Sequence, residues 1–181
     1  MITEYSFDPL AVLQALHDAD VAFVVIGGVA ARLHGSPSLT RDVDICHARD
    51  NVNLQRLSGV LVRLHARLRG VDDDVPFLLD ALTLSAGANF TFSTDAGDLD
   101  ILAAPAGVSG YDELASTAIV VDLGSFSVHV ARLDDLIRMK QAAGRPKDRV
   151  EVEILAALRD ELEGEDSDAS GRRGQQRRSP D

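Results

Sequence analysis

Residues 24–46 read VVIGGVAARLHGSPSLTRDVDIC. An apolar run ends in Gly27-Gly28, a short helix-like stretch follows, and the chain returns as Arg41-Asp42-Val43-Asp44. Side chains alternate faces along a strand, so Asp42 and Asp44 share one face while Val43 and Ile45 share the other. Downstream, Asp98-Leu99-Asp100-Ile101 repeats this pattern within NFTFSTDAGDLDIL, which reads as two strands about a tight turn at Asp95-Ala96-Gly97. If the two acidic strands are neighbours with matched faces, several carboxylates meet at one place. Crowded like charges repel unless a cation neutralises them. Hard oxygen donors select Mg2+ or Mn2+. The other reading of each pair is the polar outer face of a half-exposed sheet. Asp is a poor strand former, and two Asp-x-Asp pairs in strands favour the metal.

Gly27-Gly28 lies between a buried strand and the start of a helix. Glycine there admits a phosphate close to backbone N–H groups; a tight strand-to-helix turn also wants glycine. No Gly-Lys-Ser/Thr follows, and G-x-G-x-x-G spacing is missing, so neither a P-loop nor a dinucleotide fingerprint is present.

The remaining elements follow from periodicity. Asp8-Pro9 marks a helix start, and the helix runs to about Asp18. VAFVVI is a buried strand, GVAARLHG a short helix stopped by Gly35, and RDVDIC the next strand. Leu54, Leu57, Leu61, Leu64 and Leu68 predict an amphipathic helix over 51–68. AIVVDL and FSVHVA are two further strands, followed by helices over 133–143 and 147–162. This order indicates an α/β or α+β domain with a mixed β-sheet flanked by helices. The domain spans residues 1–163, and residues 164–181, rich in Gly, Ser and Arg, read as a disordered tail.

On the predicted helix over 133–143, Leu133, Leu136 and Ile137 form an apolar face that also carries Lys140. A lysine there needs an anionic partner, a phosphate chain or the carboxylates, unless it snorkels at the rim. Arg41 points to the strand face opposite Asp42. Arg145 and Lys147 are placed to meet a nucleotide or an RNA end, and Asp148 to cap the last helix. Arg63, Arg67 and Arg69, with His65, read as a basic patch on a solvated helix face. Cys46, His47 and His34 lack structural zinc spacing.

Composition narrows the classes further. The 181 residues carry a net charge of −11, which disfavours a passive nucleic-acid clamp and leaves room for a basic protein partner. With 4% aromatics and no Trp, a base-stacking surface for single strands is disfavoured. One cysteine excludes an intramolecular disulfide and suits the cytoplasm. The first residues lack a signal-peptide pattern, and no apolar run is long enough for a bilayer, so no membrane partner is expected.

Taken together, Gly27-Gly28, Asp42-Val43-Asp44 and Leu99-Asp100-Ile101 resemble the core signature of the nucleotidyltransferase superfamily related to DNA polymerase β. The wider text, GGVAARLHG through TRDVDI, TDAGDLDIL and DLIRMKQAAGRPKD, resembles small bacterial AbiEii/MenT-like toxins or related domains of unknown function. The resemblance covers roughly residues 24–158. It implies the nucleotidyltransferase fold and transfer of a nucleoside monophosphate from an NTP such as ATP to a hydroxyl, with pyrophosphate released. By that resemblance Asp42, Asp44 and Asp100 hold Mg2+ or Mn2+, and Asp100 helps activate the acceptor. Gly27 and Gly28 hold the triphosphate with Lys140 assisting. Arg41 and Lys147, from their own places in the sequence and not from the resemblance, are further candidates for binding the nucleotide. The role of Asp98 is open. The superfamily often has Ser where Gly28 stands, so only backbone is offered here. The implied acceptor is a tRNA 3′ end, with a cognate antitoxin as protein partner. A protein side chain or an antibiotic hydroxyl are the alternatives within the same chemistry, and an inactive binding module is the alternative outside it.

Overall fold

A computed structural model describes residues 7–71 and 77–175, with side chains described as far as 164. Helix α1, Pro9–Asp18, starts where Asp8 accepts the N–H of Ala11 at 3.0 Å, and it buries Val12, Leu13 and Leu16. Strand β1, Phe23–Ile26, is buried on both faces, as its unbroken apolar run requires. Helix α2, Gly27–Leu33, follows without a loop, and β2, Asp42–His47, returns antiparallel to β1.

Helix α3 is Asn51–Arg63, shorter than the leucine spacing predicts. It is capped by Asp50, whose carboxylate accepts the Asn53 N–H at 2.9 Å. The helix stops because His65 takes a left-handed conformation, φ 49°. The His65 N–H then bonds the Val62 carbonyl and the Ala66 N–H bonds the Leu61 carbonyl, the paired closure of a Schellman motif. The chain leaves as a two-residue strand, β3, Arg67–Leu68. Leu68 still packs against the core, now from a strand, which is why periodicity alone extended the helix over it.

Helix α4, Ala81–Ala86, was not foreseen. The predicted hairpin is present as β4, Asn89–Thr94, and β5, Gly97–Leu102, joined at Asp95-Ala96. A second unforeseen helix, α5, Tyr111–Thr117, precedes the antiparallel pair β6, Ile119–Asp122, and β7, Ser127–Val130. Helix α6, Leu133–Ala143, ends at Gly144, whose φ of 64° supplies the left-handed cap. Helix α7, Pro146–Gln175, runs on past Gly164. Residues 164–175, read from composition as the start of a structureless tail, fall within this helix. The rest of that tail lies outside the described residues.

The seven strands form one mixed sheet in the order β3-β4-β5-β2-β1-β7-β6. Strand β5 lies parallel to β2, and β7 parallel to β1; the other pairs are antiparallel. On the two acidic strands, Val43, Ile45, Leu99 and Ile101 are fully buried, leaving the opposite face to the carboxylates. Phe77, Phe90 and Phe92 cluster under the β4 side with ring centroids 6.1–6.2 Å apart. Among the described residues no helix is long and apolar enough to cross a membrane.

Candidate active site

The parallel pairing of β2 with β5 runs in register Asp42 to Asp98 and Asp44 to Asp100. All four carboxylates therefore leave the sheet on one face. One oxygen from each of Asp42, Asp44 and Asp100 falls within 4.8 Å of the others. Asp42 accepts the Thr40 hydroxyl at 2.8 Å, which holds it at the entrance to β2.

Burial, then the charges of Asp42 and Asp100, push the Asp44 carboxyl up to about 7, against the pull of Lys140 and the Gly28 N–H. Burial also raises Asp100, opposed by Arg69 and reinforced by Asp42 and Asp98. Three crowded oxygen donors whose ionised forms repel are the donor set a hard divalent cation stabilises, so the residues fit Mg2+ or Mn2+. Asp42, Asp44 and Asp100 are the residues that would hold it.

Gly27 and Gly28 meet this cluster directly. A Cβ on Gly27 would lie 2.0 Å from Oδ2 of Asp44, and one on Gly28 would lie 2.5 Å from Oγ1 of Thr40. Gly27 also has φ 63°. The glycine pair is thus required first by the closeness of Asp44 and Thr40, and its half-buried backbone lines the cavity.

These groups sit in a cavity of about 590 Å³. Arg41, Lys140, Arg145 and Lys147 line it beside the acidic residues, and Pro105, Leu136 and Met139 give it an apolar wall. Arg41 and Lys147 are exposed. They stand on the cavity lining, so the alternation that turns Arg41 away from Asp42 does not remove it from the site. Lys140 has the anionic partner its apolar face demands. Its ammonium pairs with Glu151 of α7 and lies 4.0 Å from Asp148. Asp148 is buried, accepts the Arg145 backbone N–H at 3.1 Å and pairs with the Arg145 guanidinium at 2.7 Å, so it caps α7. The Arg145 hydrogen bond, foremost, holds its carboxyl below the usual range.

The basic patch assigned to a helix face does not exist as such. Arg63 ends α3, while Arg67 and Arg69 lie on and just after β3, because the chain turns at His65. Arg69 instead reaches the acidic strands: Nη1 donates to Asp98 and Nη2 to Asp100, both at 2.7 Å. This residue was missed as part of the site. The available signal was Arg67-Leu68-Arg69-Gly70, a period of two ending in glycine, masked by the longer leucine repeat.

No protein-family profile matches the sequence, and no curated protein matches it. Solved structures do. The lincomycin-bound lincosamide antibiotic adenylyltransferase LnuA superposes with a TM-score of 0.56 at 12% identity, over 84% of this chain and 99% of that chain. A nucleotidyltransferase candidate from Thermotoga maritima, TM1012, superposes with a TM-score of 0.50 at 16% identity, over 91% of this chain and 99% of that one. The mixed sheet, its flanking helices and these likenesses together give the chain the nucleotidyltransferase fold.

Proposed function

We propose that the protein is a divalent-metal-dependent nucleotidyltransferase. The observation that carries this reading is the parallel register of β2 and β5, which gathers Asp42, Asp44 and Asp100 beside Gly27 and Gly28 within one cavity. In this reading the unit responsible is residues 1–163.

The bound cation supplies charge neutralisation for the triphosphate and its leaving pyrophosphate. The chain's own residues do the rest. Asp42, which accepts the Thr40 hydroxyl, and Asp44 would hold the cation together with Asp100. The backbone at Gly27 and Gly28 and the Lys140 ammonium bind the triphosphate, with Lys140 exchanging Glu151 for phosphate oxygens. Arg41 and Lys147 hold the outer phosphates at the rim. Asp100 orients the acceptor hydroxyl and takes its proton. The hydroxyl oxygen bonds the α-phosphorus as the bond to the bridging oxygen breaks, and pyrophosphate leaves.

Within this chemistry the acceptor is a tRNA 3′ end and the nucleotide ATP or another NTP, as for a cytoplasmic toxin with a cognate antitoxin. Arg41 and Lys147, exposed on the cavity lining and with no carboxylate partner among the described residues, are the groups that support an anionic acceptor. The test is incubation with each labelled NTP, Mg2+ and total tRNA, beside Asp42→Ala/Asp44→Ala. Label on tRNA that the double variant abolishes is the expected result. Label on protein or on an antibiotic moves the acceptor. No labelled acceptor, with NTP binding indifferent to Mg2+ and to the double variant, leaves a binding module instead.

A further inference from the structure

Arg69 is joined to the acidic strands by a chain of contacts. The Ser93 hydroxyl donates to Oδ1 of Asp98 at 2.8 Å, and Arg69 Nη1 donates to Oδ2 of the same carboxylate at 2.7 Å. The second prong, Nη2, donates to Oδ1 of Asp100 at 2.7 Å. The Arg69 backbone is itself held, its N–H bonding the Thr91 carbonyl at 2.9 Å on β4. A carboxylate at the end of a short side chain swings readily about its last torsion. A guanidinium presents two parallel donors in a rigid plane, and one that is clamped at one prong fixes what the other prong holds. Asp98 and Asp100 are two residues apart on one strand face, so a single fork spans both.

We infer that Arg69 is a positioning residue of the site: anchored on Asp98, it sets the orientation in which Asp100 meets Asp42 and Asp44. This rests on the metal-dependent reading above. It also assigns Asp98, the fourth carboxylate of the face, to the anchor rather than to the cation. Arg69 approaches from β3 and Lys140 from α6, so the cluster is bracketed by cations from two sides, and only Arg69 is forked.

The test separates geometry from charge. Arg69→Lys keeps the charge but replaces the rigid planar fork with a single rotatable ammonium on a flexible stem; Asp98→Asn keeps Arg69 and weakens its anchor. Mn2+ affinity is read by electron paramagnetic resonance, and kcat and KM for NTP by the labelling assay. Each variant is expected to lose roughly tenfold or more in Mn2+ affinity and in kcat, with KM for NTP little changed. The double variant is expected to be no worse than the poorer single, since both act through one fork. Wild-type Mn2+ affinity and kcat in Arg69→Lys would overturn the inference while leaving the nucleotidyltransferase reading intact. A wild-type protein that neither binds Mn2+ nor transfers label overturns both. Should Arg69→Lys fail to fold, Asp98→Asn reads the same orientation, and unchanged affinity there is equally fatal.

Discussion

At the scale of single residues, the site sets stability against chemistry. Asp44 is enclosed beside two other carboxylates, a position whose ionised form is costly without a cation. At about pH 8 and without divalent ions, Asp44→Asn is expected to raise stability by on the order of 1–3 kcal/mol, read from urea midpoints. The same variant should transfer no nucleotide, and Mg2+ should stabilise the wild type but not the variant. Unequal responses in the opposite order would mean that Asp44 does not face the ion. Gly27 shows the converse constraint. Its φ of 63° and the 2.0 Å approach of Asp44 leave no room for a methyl group. Gly27→Ala should cost about 1–3 kcal/mol and displace the Asp44 carboxylate, lowering Mn2+ affinity as well. These two residues were named from sequence because their chemistry is local: glycine at a strand end and Asp at alternating positions are written in the order of residues. Arg69 was named only as part of a basic patch and not of the site, since its partners are 29 and 31 residues away.

At the scale of elements, the site depends on strands that carry no catalytic group. Strand β4 pairs along the whole of β5, from Asn89 opposite Leu102 to Thr94 opposite Gly97, and so fixes the strand that bears Asp100. Its anchor is Phe92, fully buried and stacked on Phe90. Phe92→Ala should cost about 3–5 kcal/mol in global stability. Amide hydrogen exchange should quicken along β4 and β5 before it does in β1 and β7, which the change does not touch. Equal acceleration in all strands would show that the hairpin is not a separable support. The long helix predicted over 51–68 belongs to this scale too. Leucines at three- and four-residue spacing describe both a helix face and a helix followed by an inward-facing strand residue. The left-handed turn at His65, a residue that tolerates but does not announce that conformation, chose between them.

At the scale of the molecule, one buried histidine ties stability to pH. His47 is 2% exposed, and burial, foremost, lowers its pKa from 6.5, with Arg49 adding to the effect and the Ala48 carbonyl opposing it. The unfolded chain then binds the proton more readily than the folded one, so this group's contribution is intact above pH 6.5 and is lost as pH falls below it. Urea midpoints at about pH 7.5 and 5.5 should therefore fall further for wild type than for His47→Gln. Equal slopes would place His47 in water in the folded state.

The sequence by itself determined the elements that bear the site. Alternation placed Asp42 with Asp44 and Asp98 with Asp100, and the apolar runs around them required strands, because both features depend only on near neighbours along the chain. Only the tertiary structure decided that β5 lies parallel to β2 with Asp44 opposite Asp100, that Glu151 faces Lys140, and that Arg69 reaches across from β3. Strand order and register arise from packing between residues distant in sequence, and no local period records which strand will be a neighbour.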